Sequence, residues 1–366
     1  MATLAEPQTQ FTRLAHPAPT PVAVRDAVLA DPGFGKVFSD HMVTIEWSED
    51  RGWHDPVIGP RGPIALDPAA AVLHYAQEIF EGMKAYRLAD GGIALFRPDA
   101  NAQRFNLSAE RLAMPDLPEE MFVSAVRELV AADRDWFPTV EGGSLYLRPF
   151  MIATEAFLGV RPAKSYKFIV IASPAGNYFK SGAPAVSIWV SDYSRAAPGG
   201  TGAAKCGGNY AASLVPTAEA FAKGHDQVLF LDAAEHKWIE ELGGMNLFFI
   251  FADGSMITPT LTGTILAGIT RASLIELARD EGLTVREEKY SLEQWRADAA
   301  SGHLVEAFAC GTAAVVASVG RVAGRDGEFT IGSGGPGQLT GKLRQRLVAI
   351  QRGEAPDPHG WVTKLD

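Results

Sequence analysis

Gly199-Gly200-Thr201-Gly202-Ala203-Ala204-Lys205-Cys206-Gly207-Gly208-Asn209-Tyr210 places one lysine in a segment almost without bulk. Lysine ordinarily extends its flexible stem into water among polar neighbours. Around Lys205 the neighbours are Gly, Ala and Cys, and the segment holds no carboxylate to pair with the ammonium. An amine denied water and a counter-charge loses proton affinity and becomes a usable nucleophile. The glycines let a flat ligand lie against the backbone. The same letters also describe a flexible loop with an exposed lysine, and a Gly-rich motif decides nothing until its surroundings are known.

Those surroundings span 366 residues, more than one core usually organises, so two domains are expected. Hydrophobic residues at 47% and charged residues at 21% describe an ordinary globular protein. A formal charge of −10 argues against nucleic-acid binding, which needs a basic stripe. No membrane association is expected, because the apolar run Leu247-Phe248-Phe249-Ile250-Phe251-Ala252 is only of strand length. The N-terminus lacks the basic region and apolar core of a secretion signal. The cysteines, Cys206 and Cys310, imply no disulfide framework, and a cytoplasmic location fits. The eight histidines are scattered without zinc-site spacing, so no metal is expected.

Residues 1–35, rich in Pro, Thr and Ala, read as an extended, poorly structured N-terminal arm. Residues 36–178 read as a small α+β domain. Met42-Val43-Thr44-Ile45-Glu46-Trp47 alternates like a strand, and Ile93-Ala94-Leu95-Phe96 is another. Pro98 then opens a helix carrying Phe105, Leu107, Leu112 and Met114. Strands follow at Leu145–Phe150 and Phe168–Ala172. The elements lack βαβ regularity, which favours α+β or mixed α/β. Residues 179–192 are assigned to a linker, although Val186-Ser187-Ile188-Trp189-Val190 within it is strand-like. Residues 193–366, which include Lys205, are expected to form a large domain, cofactor-binding if that lysine takes a cofactor. It has strands at 227–232 and 246–252, a helix after Thr270 ending before Gly282, a capping box at Ser291 and Gln294, and a last helix over about 338–352. No Gly-x-Gly-x-x-Gly turn follows a strand, which argues against a nicotinamide enzyme.

A lysine poised to attack a carbonyl suggests pyridoxal 5'-phosphate, a cofactor with further needs. Its ring nitrogen calls for an acid, its phosphate for backbone amides with hydroxyls or cations, and its phenolic oxygen for a donor. Glu241, in Ile239-Glu240-Glu241-Leu242-Gly243-Gly244-Met245-Asn246, is a candidate for the first. A buried glutamate needs a positive partner; an exposed acidic turn is the alternative. Gly268-Ile269-Thr270-Arg271 opens a helix whose amides and dipole favour an anion, and the Thr270 hydroxyl can bind it or simply cap the helix. Gly311-Thr312-Ala313-Ala314 is a second amide-rich turn, or an ordinary tight one. Arg104, in the helix after Pro98, reads by itself as an ordinary surface arginine. Tyr146 and Arg148 share a strand face, which suits capture of a carboxylate or plain exposure to solvent.

In order along the chain, His74-Tyr75, Phe80-Glu81-Gly82-Met83-Lys84, Ala102-Gln103-Arg104, Ser144-Leu145-Tyr146-Leu147-Arg148-Pro149, Lys205 through Tyr210, Glu241 through Asn246, Gly268 through Arg271, and Gly311-Thr312-Ala313 resemble the branched-chain amino acid aminotransferases. These are two-domain pyridoxal-phosphate enzymes of fold type IV, and the resemblance runs from about residue 35 to the C-terminus. It implies that Lys205 holds the cofactor and moves the proton, that Tyr210 meets the phenolic oxygen and that Glu241 meets the ring nitrogen. Arg104, Ile269, Thr270 and Thr312 would bind the phosphate. Tyr75, Phe80 and Tyr178 would line the side-chain pocket. The Thr312–Ala313 turn and Tyr146 would meet the α-carboxylate, and Arg148 the distal carboxylate of glutamate. Leu, Ile or Val would pass its amino group to 2-oxoglutarate by a ping-pong route, in a homodimer. A D-amino acid aminotransferase or aminodeoxychorismate lyase shares most of these residues. A non-catalytic binding protein on the same scaffold is the alternative from another class. Ala314 and Ala317 stand where some relatives have a Cys-x-x-Cys, so no thiol switch is expected there.

Overall fold

The computed structural model describes residues 10–176 and 185–365. The chain divides into two compact units: Met1–Arg87, Gly92–Asn177 and Thr363–Asp366 form the first, and Leu88–Gly91 with Tyr178–Val362 the second. Among the described residues, no helix is long and apolar enough to cross a membrane.

The first unit contains β1 (Thr12–Arg13), α1 (Val22–Ala30), β2 (His41–Ser48), β3 (Gly52–Pro60), α2 (Ala71–Tyr75), β4 (Glu78–Phe80), β5 (Met83–Arg87) and β6 (Ile93–Phe96). Helices α3 (Pro98–Arg111) and α4 (Glu119–Ala132) and strands β7 (Ser144–Ala153) and β8 (Ser165–Ala175) follow. Its sheet runs β1-β3-β2-β8-β7-β5-β6, with β4 also on β7 and the C-terminal strand β18 (Val362–Leu365) beside β6. Pairing along β2, β8, β7 and β5 is antiparallel. The apolar positions of α3 and α4 meet this sheet through Phe105, Phe122 and Phe168, whose ring centroids lie 5.4–5.8 Å apart. Burying each such ring contributes about 1.5–3 kcal/mol.

The second unit contains β9 (Val186–Val190), α5 (Gly207–Ala211), α6 (Leu214–Ala222), β10 (Gln227–Leu231), β11 (Ile239–Leu242), β12 (Asn246–Phe251), β13 (Ser255–Thr258), α7 (Ile269–Asp280) and β14 (Thr284–Glu287). After them come α8 (Leu292–Ser301), β15 (Leu304–Gly311), β16 (Val315–Gly324), β17 (Gly327–Thr330) and α9 (Gln338–Gln351). The sheet order is β11-β10-β9-β16-β15-β12-β13-β14, with β17 on β16. Phe248 stacks on Phe308 at 4.8 Å, and Phe249 packs on Tyr290 and Trp295. The Ser291–Gln294 capping box is present in full at the start of α8.

Three expectations are corrected. Residues 22–30 of the supposed arm form helix α1, because Val22–Ala30 buries Leu29 and avoids helix-breaking residues until Asp31-Pro32. Strand β1 in the same arm pairs in parallel with β3. Val186–Val190, placed in the linker, is the interior strand β9, paired on both sides with β10 and β16. Its β-branched and aromatic residues outweigh the Pro, Gly and Ser nearby. Leu107, expected on the apolar face of α3, is 62% exposed, and Met114 lies beyond the helix end.

Candidate active site

In the second unit, three strand and loop ends bring chemistry-bearing side chains into one network. Asn209 fixes the lysine loop: its Nδ2 donates to the carbonyls of Thr201 and Ala204, both at 2.8 Å, and its Oδ1 accepts from the Thr201 hydroxyl. Gly202 within that loop lies against Thr264, where an added Cβ would come within 2.6 Å of the Thr264 Cα. The glycine is therefore required by a close approach. Helix α5 then presents Tyr210, and Lys205 Nζ donates to its hydroxyl at 2.6 Å. Asn209 carried no role in the sequence reading; its side chain only becomes legible once the loop is closed.

Glu240 and Glu241 lie on β11 and both are buried, which overturns the exposed acidic turn. Adjacent strand residues face opposite ways. Glu240 Oε1 accepts from the Thr264 hydroxyl. Glu241 Oε1 accepts from the Leu266 amide at 3.1 Å and pairs with Arg195 at 2.6 Å, and its Oε2 accepts from Asn246 Nδ2 at 3.3 Å. Burial pushes the Glu241 carboxyl up to about 7, opposed first by the Arg195 charge and then by the Leu266 amide and Lys205. Burial raises Glu240 as well.

The N-cap of α7 is Gly268 with extended dihedrals, and no side chain caps the helix. Thr270 therefore sits in the first turn rather than at the cap, and the first-turn amides of Ile269 and Thr270 are available to an anion. A Cβ on Gly268 would come within 2.0 Å of Asn246 Oδ1, so the helix start presses on the residue that holds Glu241. The Gly311–Ala314 turn joins β15 to β16, with Val315 at φ 62°. A β-branched residue there stores about 1–3 kcal/mol of strain, of the kind that gathers at functional sites. Both cysteines are free and buried, and burial pushes the Cys310 thiol well above its ordinary value.

In the first unit, β4 and β7 gather Phe80, Tyr146 and Arg148. The Arg148 guanidinium lies 4.8 Å from the Phe80 ring centroid and 5.5 Å from that of Tyr146, and its Nη2 donates to the Tyr146 hydroxyl at 3.2 Å. Arg104 on α3 makes a buried bidentate pair with Glu81, Nε to Oε1 at 2.7 Å and Nη2 to Oε2 at 2.8 Å. Asn101 Nδ2 and the Gly82 amide also donate to Glu81 Oε2. Glu81 thereby anchors Arg104, a task absent from the sequence expectations. Tyr75 stands on α2, where its hydroxyl donates to the Leu158 carbonyl and its ring packs on Phe157. Tyr178 lies outside the described residues.

A Cβ on Gly82 would come within 2.2 Å of the Tyr146 hydroxyl. Gly82→Ala is therefore expected to displace Tyr146 and loosen its contact with Arg148. Forcing such a side chain off its rotamer costs about 1 kcal/mol, so KM should rise about fivefold with little change in melting temperature. Steady-state kinetics with a calorimetric melt check it; an unchanged KM would show that Tyr146 has no part in binding.

An amine beside a phenol, a buried carboxylate and a helix start without a side-chain cap fit an enzyme that works through a phosphorylated carbonyl cofactor. The chain belongs to the amino-transferase class IV family, whose model matches residues 78–322. It is 55% identical over 362 residues to a branched-chain-amino-acid aminotransferase of Mycolicibacterium smegmatis, covering 98% of each chain. Its fold is similar to that of the Escherichia coli branched-chain amino acid aminotransferase, with a TM-score of 0.74 at 29% identity, over 88% of this chain and 99% of that one. The branched-chain amino acid aminotransferase of Thermobaculum terrenum, solved in its PLP-bound holo form, matches at a TM-score of 0.69 and 25% identity, over 88% of this chain and 98% of that one.

Proposed function

We propose that this protein is a branched-chain amino acid aminotransferase that moves the amino group of Leu, Ile or Val to 2-oxoglutarate with pyridoxal 5'-phosphate. The observation that carries the reading is Lys205 hydrogen-bonded to Tyr210, with the buried Glu241 in the same unit. The donor set fits the cofactor: an amine for its aldehyde, a carboxylate for its ring nitrogen, and unshared helix amides for its phosphate. When bound, pyridoxal 5'-phosphate supplies the carbonyl that takes up the amino group and an electron sink for the deprotonated carbon.

Lys205 would hold the cofactor through its amine and, when that amine is free, would move the proton at the substrate Cα. Tyr210 donates to the phenolic oxygen, and Glu241 keeps the ring nitrogen protonated. The Ile269 and Thr270 amides, the Thr270 hydroxyl and Thr312 hold the phosphate; the same task for Arg104 rests on the resemblance of its segment. Phe80 and Tyr75 supply apolar wall for the substrate side chain. The Thr312–Ala313 turn and Tyr146 take the α-carboxylate, and Arg148 takes the distal carboxylate of glutamate. An arginine laid on aromatic faces can serve apolar and acidic substrates in turn.

A panel of amino donors with 2-oxoglutarate tests the reading. Leu, Ile and Val are expected to lead, and a preference for D-alanine or for aminodeoxychorismate would overturn it. For Arg148→Ala, kcat/KM should fall about a hundredfold with 2-oxoglutarate, as for loss of a charged hydrogen-bonded pair, and only a few-fold in the leucine half-reaction. Equal losses would contradict its role. We place the protein in the cytoplasm as a homodimer, with exposed Leu73, Leu158 and Val160 (58%, 71% and 90%) as the apolar surface a second copy covers. A solution mass equal to one chain would remove that part.

A further inference from the structure

Arg195 lies in the second unit between β9 and α5, with its side chain only 5% exposed. Its Nη2 is 2.6 Å from Glu241 Oε1, and the same nitrogen donates to the carbonyls of Gly202 and Thr264. Gly202 belongs to the Lys205 loop, and Thr264 begins the run through Leu266 into α7. One guanidinium thus ties together the loop of the reactive amine, the strand of the buried acid and the approach to the anion-binding helix. With Arg195 and the Leu266 amide both on Oε1, Oε2 keeps, among the described residues, the longer Asn246 contact.

We propose that Arg195 is a positioning residue for the reaction: it holds Glu241 as the carboxylate and fixes which of its oxygens is left for the ring nitrogen of the cofactor. The proposal rests on the reading of Glu241 as the partner of that nitrogen. A carboxyl enclosed in protein prefers its neutral form, and a neutral acid cannot keep a neighbouring nitrogen protonated. The charged or titratable groups that act on Glu241 are Arg195 and Lys205, which favour its anion, and Glu240, which opposes it; Cys310 is near enough to feel its charge. Arg195 is the largest of the favourable influences. Lys205 cannot replace it while committed to the cofactor.

The test uses the full-length chain as Arg195→Gln, Arg195→Lys, Glu241→Gln and the Arg195→Gln/Glu241→Gln double variant. In the reconstituted Arg195→Gln enzyme, kcat at pH 7 should fall about a hundredfold and recover toward the wild-type value as pH rises and Glu241 ionises. Arg195→Lys keeps the charge and should restore at least tenfold of the loss. The same chain is also melted without added cofactor from pH 6 to pH 9. There the gap in melting temperature between wild type and Arg195→Gln should widen with pH, by ~2 °C for each unit that the Glu241 carboxyl rises. The gap between Glu241→Gln and the double variant should stay constant. A role in packing alone would give parallel melting curves and a pH-independent loss, and either result overturns the proposal. If Glu241→Gln turns over like the wild type, the reading of Glu241 fails instead, and the melting series still reports whether Arg195 sets its charge.

Discussion

Lys205→Ala is expected to lower transamination of leucine with 2-oxoglutarate by about 10⁴-fold or more. Two tasks vanish with the side chain: the covalent hold on the cofactor and the proton transfer at Cα. General acid–base transfer alone contributes about 10²–10⁴-fold, and the nucleophile adds to it. Phosphate binding does not depend on the amine. The first-turn amides of α7 and the Thr312 turn are set by the backbone, so cofactor should still bind, more weakly and without a bond to the chain. Borohydride treatment, which fixes the cofactor to Lys205 in the wild type, should leave the variant unlabelled by mass. The fold should survive, because Lys205 is half-buried and its loop is held by Asn209 through Thr201 and Ala204. Wild-type turnover in this variant, or labelling at another lysine, would move the reactive amine elsewhere.

The sequence made the ends of this arrangement legible, and left the joints between them unread. Lys205 was readable because a lysine among glycines is unusual, and the small-residue turns at Gly268 and Gly311 because amides without bulk have few other uses. The strands β2, β7, β8, β10 and β12 followed from alternation or apolar runs at strand length. Helix α1 is masked in the sequence because its Ala-rich letters lie among prolines, although Val22–Ala30 itself holds no breaker. Strand β9 has strand-like letters in a Pro-, Gly- and Ser-rich setting, and periodicity cannot say which strands a segment will pair with.

Arg195, Asn101, Glu81 and Asn209 share a different cause. Each acts by holding another residue across the fold: Arg195 meets Glu241, and Arg104 meets Glu81. Nothing local distinguishes such an arginine from a solvated one. A signal is present in one case only: Glu81 stands between Ile79-Phe80 and Gly82-Met83, an apolar setting in which an unpaired carboxylate would be costly. Val315 is unreadable for a further reason, because its left-handed backbone is imposed by a tight hairpin and opposed by its own side chain.

Glu241→Gln is expected to cost about 10²–10³-fold in kcat, the scale for losing one preorganised electrostatic contact at a reacting centre. Gln has nearly the same shape and can keep the Leu266 and Arg195 contacts through its carbonyl oxygen, so the loss reports charge rather than volume. Stability separates two effects. Where Glu241 is protonated, the substitution exchanges one neutral group for another beside Arg195, so any offset there reflects packing and hydrogen bonding and does not vary with pH. The second effect is the cost of ionising Glu241 inside the protein. Its folded value of about 7 lies above the ordinary carboxylate value, so the wild type loses stability as pH rises from about 4 to 7 and no more of it above that. The variant has no such loss. Melts without added cofactor should therefore shift in favour of Glu241→Gln between pH 5 and pH 8, whatever the offset at pH 5. A pH-independent difference would mean that Glu241 ionises in the folded chain as easily as in water, and its enclosure by Arg195, Asn246 and Leu266 would then have no part in setting its charge.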